Sequence, residues 1–133
     1  MNPMTTTTQN EFEYQVLACF RKHANTLRLC EPTFRREGYV ITATMSAGTS
    51  GKVELRYGPA EYVTEIFIYT SADNKRWSLT DLLNNEQIRT WILKNKPDMS
   101  GRSRLETEIT FAFSLLNEGL VDIPDFHWLA SKA

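Results

Sequence analysis

Tyr62-Val63-Thr64-Glu65-Ile66-Phe67-Ile68-Tyr69-Thr70 is the stretch on which the fold turns. From Ile66 to Tyr69 it is apolar at both parities, so neither side of a strand there can be fully solvated. β-Branched and aromatic residues dominate it, which suits a pleated surface packed on one or both sides. It reads as the central strand of a sheet, with helices before and after it as cover.

Upstream, two further strands lead into it. After Gly38, the residues Tyr39, Ile41, Ala43 and Met45 alternate with Val40, Thr42 and Thr44. Ser46 to Gly51 carries two glycines and reads as a hairpin loop. The return strand sets Val53, Leu55 and Tyr57 on one side and Lys52, Glu54 and Arg56 on the other. Short connections then predict an antiparallel meander of three to four strands. A tight turn at Gly58-Pro59 would set Arg56 opposite Glu61 and Lys52 opposite Glu65, two favourable cross-strand pairs. A four-residue loop would set Glu54 against Glu65, which repels. Either way Ile66 and Ile68 share a face with Val53 and Leu55, while Phe67 and Tyr69 fall among the charges.

Downstream, Ser71 to Arg76 reads as a polar turn. Ser78 and Asp81 make a capping box for a short helix, with Trp77 placed to staple onto Leu82. Asn84 or Asn85 caps the next helix, which carries Ile88, Trp91 and Ile92 and ends before Pro97. Ser103 and Glu106 cap the last one, whose stripe is Leu105, Ile109, Ala112, Phe113 and Leu116, with Gly119 as its stop. Thr107 to Phe113 also alternates like a strand, but the stripe, the cap and the glycine favour helix. Phe126, Trp128 and Leu129 make the C-terminal segment too apolar to float free.

At the other end, residues 1–8 are polar and Thr-rich and read as a mobile tail. Thr8 and Glu11 fit a capping box. A helix over residues 9–28 follows, with Phe12, Val16, Cys19, Phe20, His23 and Leu27 on one stripe. The 133 residues therefore predict one α+β domain: an N-terminal helix, an antiparallel meander, then two to three helices packed on the sheet.

Composition excludes several classes. A net charge of −1 gives no bulk electrostatic footprint for nucleic acid or an anionic membrane. No apolar run approaches the ~20 residues a spanning helix needs, and the start lacks the pattern of a secretory signal. Two cysteines make no disulfide framework, so a reduced cytoplasmic protein is the simplest expectation. Cys19 and Cys30 would be about 16 Å apart along a continuous helix, too far to bridge.

Chemistry-bearing motifs are sparse. Cys19 and His23 have a metal-site spacing, but both lie on the buried stripe and no second pair completes a ligand set, so no metal or cofactor is expected. Arg89, Lys94 and Lys96 are too few for a helix-turn-helix reader. Glu54, Glu61 and Glu65 with Arg56 and Lys52 loosely resemble nucleases that place acidic residues and a lysine on adjacent strands. The Glu-x-Lys triplet of such sites is missing, since Glu54-Leu55-Arg56 stands in its place. A solvated sheet face with alternating charge is the commoner outcome for such a pattern.

Two features point to recognition instead. Phe67 and Tyr69 among Lys52, Glu54, Arg56 and Glu65 form aromatic anchors in a charged rim. Phe111 and Leu115 lie about 120–160° from the main stripe of the last helix, by its ~100° per residue, and offer an alternative apolar patch or a homodimer contact. The expected function is a small non-catalytic module that binds one protein partner, with no nucleic acid or membrane involved. Bacterial immunity or antitoxin-type toxin inhibitors fit that profile as a class. The alternative is a small enzyme or ligand-binding domain using Glu54, Arg56 and Glu65.

Overall fold

The computed structural model describes residues 6–58, 64–97 and 104–129. Five strands form one sheet in the order of the chain, all neighbours antiparallel: β1 (Thr33–Glu37), β2 (Val40–Ser46), β3 (Gly51–Tyr57), β4 (Thr64–Thr70) and β5 (Lys75–Ser78). Helix α1 (Thr6–His23) precedes the sheet, and α2 (Leu79–Leu82), α3 (Glu86–Asn95) and α4 (Arg104–Ser114) follow it. The architecture is α+β as expected, with more strands than the three to four anticipated.

Parity is as the sequence implied. Val53 faces Ile68 and Leu55 faces Ile66 across β3 and β4. These join Ile41, Ala43 and Met45 on the helix side, all buried. Alternation on β2 and β3 fixes this, because a slip of one residue would send every apolar side chain to the wrong face. Helices α1 and α4 pack on each other and close that face, with Phe12, Val16, Ile109 and Phe113 fully buried. Phe12 stacks on Tyr57 at 5.9 Å and meets Phe34 edge-on at 6.3 Å, which ties α1 to β1 and β3.

The register departs from both alternatives weighed above. Arg56 pairs with Glu65, Lys52 with Tyr69 and Glu54 with Phe67. Residues 58–63 connect the strands, longer than a tight turn, and Glu61 and Tyr62 lie outside the described residues. Gly58 takes a positive φ of 93° ahead of Pro59, a conformation that few other residues tolerate.

Both outer strands are additions to the expected sheet. β1 carries one half-buried apolar residue, Phe34, on an otherwise exposed strand. β5 occupies part of the stretch read as a turn. The turn itself is residues 71–74, where Asn74 takes a φ of 50°. Arg35-Arg36 and Lys75-Arg76 sit on these two edges, where charge discourages further strand pairing.

Helix boundaries show three corrections. α1 begins at Thr6, inside the stretch read as tail, so Thr8 is helical and not a cap. It ends at His23, not at residue 28, because the chain turns at 24–26. Thr26 Oγ1 donates to the His23 carbonyl and, at 2.6 Å, to Asn117 Oδ1. Leu27 is buried outside the helix. α4 does not stop at a left-handed Gly119: it continues into a π-helical turn, Leu115–Gly119, closed by Leu120 N–H donating to the Leu115 carbonyl. Gly119 is needed for space, since a Cβ there would lie 2.9 Å from the Trp91 ring.

Other local readings hold. Ser78 and Asp81 form the capping box of α2, Asn85 Oδ1 accepts from Ile88 N–H at the start of α3, and residues 107–113 are helix. Ser103 lies outside the described residues. The C-terminal segment docks: Phe126 and Leu129 are buried, and Arg28 N–H donates to the Leu129 carbonyl.

Candidate functional site

The two sides of the sheet differ in cover. α1, α2 and α4 contact β2 and β4 on the apolar side. On the outer side, strand parity places Thr33, Arg35 and Glu37 of β1, Val40, Thr42 and Thr44 of β2, Lys52, Glu54 and Arg56 of β3, Glu65, Phe67 and Tyr69 of β4, and Arg76 of β5. The six residues singled out from sequence are thus brought together on one surface. Here side chains cover one another.

Glu54 is the centre of this surface. Only 6% exposed, it accepts from Arg56 Nη2 at 2.9 Å and from Tyr69 Oη at 3.2 Å, and Lys52 Nζ stands 3.5 Å from its second oxygen. Arg56 also donates to Tyr69 Oη at 3.3 Å. Burial pushes the Glu54 carboxyl up, but the Arg56 hydrogen bond, the Lys52 charge, the Tyr69 hydroxyl and the Arg56 charge more than offset it. The net effect lowers its pKa, so Glu54 stays an anion held by its own cations.

The aromatics are roofed by the same cations. Lys52 Nζ lies 4.8 Å from the Tyr69 ring centre, and the Arg56 and Arg76 guanidinium carbons lie 4.7 Å and 5.1 Å from that of Phe67. Phe67 is consequently buried, and the expectation that it is an exposed anchor is corrected. Tyr69 is half-buried, Glu65 and Arg76 are exposed. Among the described residues neither Glu65 nor Arg76 has an ion-pair partner within 4.0 Å, whereas Arg35 is paired with Glu37 at 2.7 Å. Sequence reading missed Arg76 because β5 is mostly polar. The available signal was that Arg76 and Ser78 alternate with Trp77 immediately before the α2 cap.

The alternative patch dissolves in part. Leu115 is buried within its own chain and cannot contact a partner. Phe111 is half-buried against Trp91 of α3, with ring centres 5.9 Å apart.

The remaining motifs have structural explanations. Cys19 Sγ lies 3.9 Å from Thr110 Oγ1, and the His23 ring stacks on Phe113 at 6.2 Å. Burial raises the Cys19 pKa and lowers that of His23. Among the described residues no group of three or more His, Cys, Asp or Glu side chains could hold a metal ion. No helix among them is long and apolar enough to cross a membrane. No protein-family model, curated protein or solved structure matches the chain.

Proposed function

We propose that the chain is a small non-catalytic binding module that docks one protein partner on the outer face of its sheet. The observation that carries this is the division of labour on that face. Its centre, Glu54 with Arg56, Lys52 and Tyr69, is internally paired. Its flanks, Glu65 and Arg76, are exposed charges of opposite sign with no ion-pair partner of their own among the described residues. A preorganised surface with unspent charge at two separated points suits recognition, since little ordering remains to be done on binding and a wrong partner meets a misplaced charge.

The chemistry of Glu54 supports the non-catalytic half of the reading. A general base needs a pKa near working pH and a free lone pair facing substrate. Glu54 has a lowered pKa, accepts from Arg56 and Tyr69 and is ion-paired with Lys52. Small size and near-neutral charge fit the profile of immunity or antitoxin-type inhibitors as a class, and in this reading the module acts by occluding its partner.

The test is a pull-down from the native host followed by titration of the recovered partner with variants. Glu65→Lys and Arg76→Glu should each weaken the complex about tenfold or more, as for close charge pairs across an interface, with the fold retained in both, although Arg76→Glu also loses its contact with the Phe67 ring and melts at a lower temperature. Unchanged affinity for both variants, with loss of binding in Phe111→Asp, moves the surface to α4 and refutes the proposal.

A further inference from the structure

On the other side of β4, independent of the docking face, we infer a binding site for a small neutral molecule: a ring or branched aliphatic group bearing one hydrogen-bonding oxygen. A cavity of about 220 Å³ opens there between the start of β4, the first residue of α2, the end of α3 and α4. Ile66, Leu79, Phe111, Ala112 and Leu115 supply its apolar wall. Phe111 and Leu115 are the pair on α4 that stood apart from its main stripe, and the cavity is what their side of the helix faces. Leu79, 40% exposed, stands at the rim.

Size sets the class first. A dry apolar cavity of about 150 Å³ takes benzene, so this one takes a substituted ring of roughly nine heavy atoms by proportion. Charge sets it second. Lys96 and Glu108 both border the cavity. The Glu108 carboxylate is already engaged, accepting from Thr64 N–H at 3.1 Å and from Arg104 Nε at 3.4 Å. With one charge of each sign at its border the cavity has no net preference for an anion or a cation, and its wall is otherwise apolar, so a neutral ligand fits best.

The polar handle is Thr64, which also lines the cavity. Its hydroxyl is shut off from solvent and, among the described residues, has no hydrogen-bond partner. A buried hydroxyl left unpaired is a standing cost, and such exceptions in native structures call for an explanation. A turn of about 120° around χ1 carries the oxygen to the place now held by the methyl or the hydrogen, and a rotamer that brings it to the cavity lets a ligand oxygen pair with it.

Toluene and phenol, titrated against the whole chain with methyl chemical shifts as readout, test this. Both should bind saturably, with shifts centred on Ile66, Leu79 and Leu115. Thr64→Val keeps the shape and removes the hydroxyl. The ratio of toluene affinity to phenol affinity should then rise about two- to tenfold, the value of one net hydrogen bond. Ala112→Phe should fill the cavity and abolish both. Leu79→Trp, at the exposed rim, should also block entry and does not depend on repacking the core. The inference is overturned if neither probe saturates, if binding survives both blocking variants, if the ratio is unchanged in Thr64→Val, or if benzoate binds more tightly than phenol. None of these outcomes touches Glu65 or Arg76, so the docking proposal stands or falls separately.

Discussion

Replacing Glu54 by Gln removes one charge and almost no volume from the centre of the outer face. Three contacts are altered: Arg56 at 2.9 Å, Tyr69 at 3.2 Å and Lys52 at 3.5 Å. Hydrogen bonds to charged groups are worth about 1.5–3 kcal/mol net each when well shielded. The Arg56 and Lys52 side chains are 34% and 44% exposed, so solvent screens both. Tyr69 can still donate to the glutamine carbonyl. The sum should therefore come to about 1–3 kcal/mol at pH 7. Its pH dependence is the sharper check. The folded pKa of Glu54 lies below its ordinary value of 4.5, so the unfolded chain takes up the proton first as pH falls. The stabilisation is complete above that value and is lost as pH drops through the folded pKa. Urea melts of wild type and Glu54→Gln at pH 7, 5, 4 and 3 should show a gap that narrows with acid. A gap below about 0.5 kcal/mol at pH 7, or one that is constant with pH, refutes the view of Glu54 as a bound anion.

Three further outcomes can be measured on the same material. Ile68→Ala, fully buried opposite Val53 and Trp77, should cost about 2–5 kcal/mol in denaturant melts. Gly51→Ala should destabilise by about 1–3 kcal/mol through overpacking, because its Cβ would stand 2.7 Å from the Trp128 ring and closer still to the Tyr69 carbonyl. An unchanged melting temperature would show that the C-terminal segment does not pack there. Cys30, exposed, should react with a thiol reagent well before Cys19, whose pKa is raised by burial. Equal rates would mean that the α1–α4 contact opens readily.

What could be read in advance followed from local rules. Alternation alone settled that Val53, Leu55, Ile66 and Ile68 share a face, and single side chains marked the caps at Ser78 and Asn85. Alternation likewise gathered Lys52, Glu54, Arg56, Glu65, Phe67 and Tyr69 on one surface. β1 and β5 escaped because an edge strand has one neighbour and needs little apolar character: Phe34 and Trp77 are their only large apolar residues. The end of α1 was misplaced because the apolar stripe runs on to Leu27, while the actual stop includes a hydrogen bond from Thr26 to Asn117, far along the chain. The burial of Phe67 depends on Arg76, which faces it only once β5 is in place. Leu115 lay beyond reach for the same reason, since its surroundings come from β4 and the ends of α2 and α3.

The strand order β1-β2-β3-β4-β5 bears on how the chain folds. Every strand pairs with its neighbour in sequence, so each step of zippering closes only a short loop and the sheet can assemble hairpin by hairpin. Helix α1 is different: its partner α4 lies about ninety residues downstream, as the Cys19–Thr110 contact shows. The apolar side of the sheet must therefore wait for both ends of the chain before it is covered. During synthesis a nascent chain could form all five strands while α4 is still in the ribosome, with Ile41, Met45, Val53 and Ile68 exposed on one surface. The vulnerable interval for aggregation is that last stretch of translation, and truncations ending before Arg104 should be far less soluble than their strand content suggests.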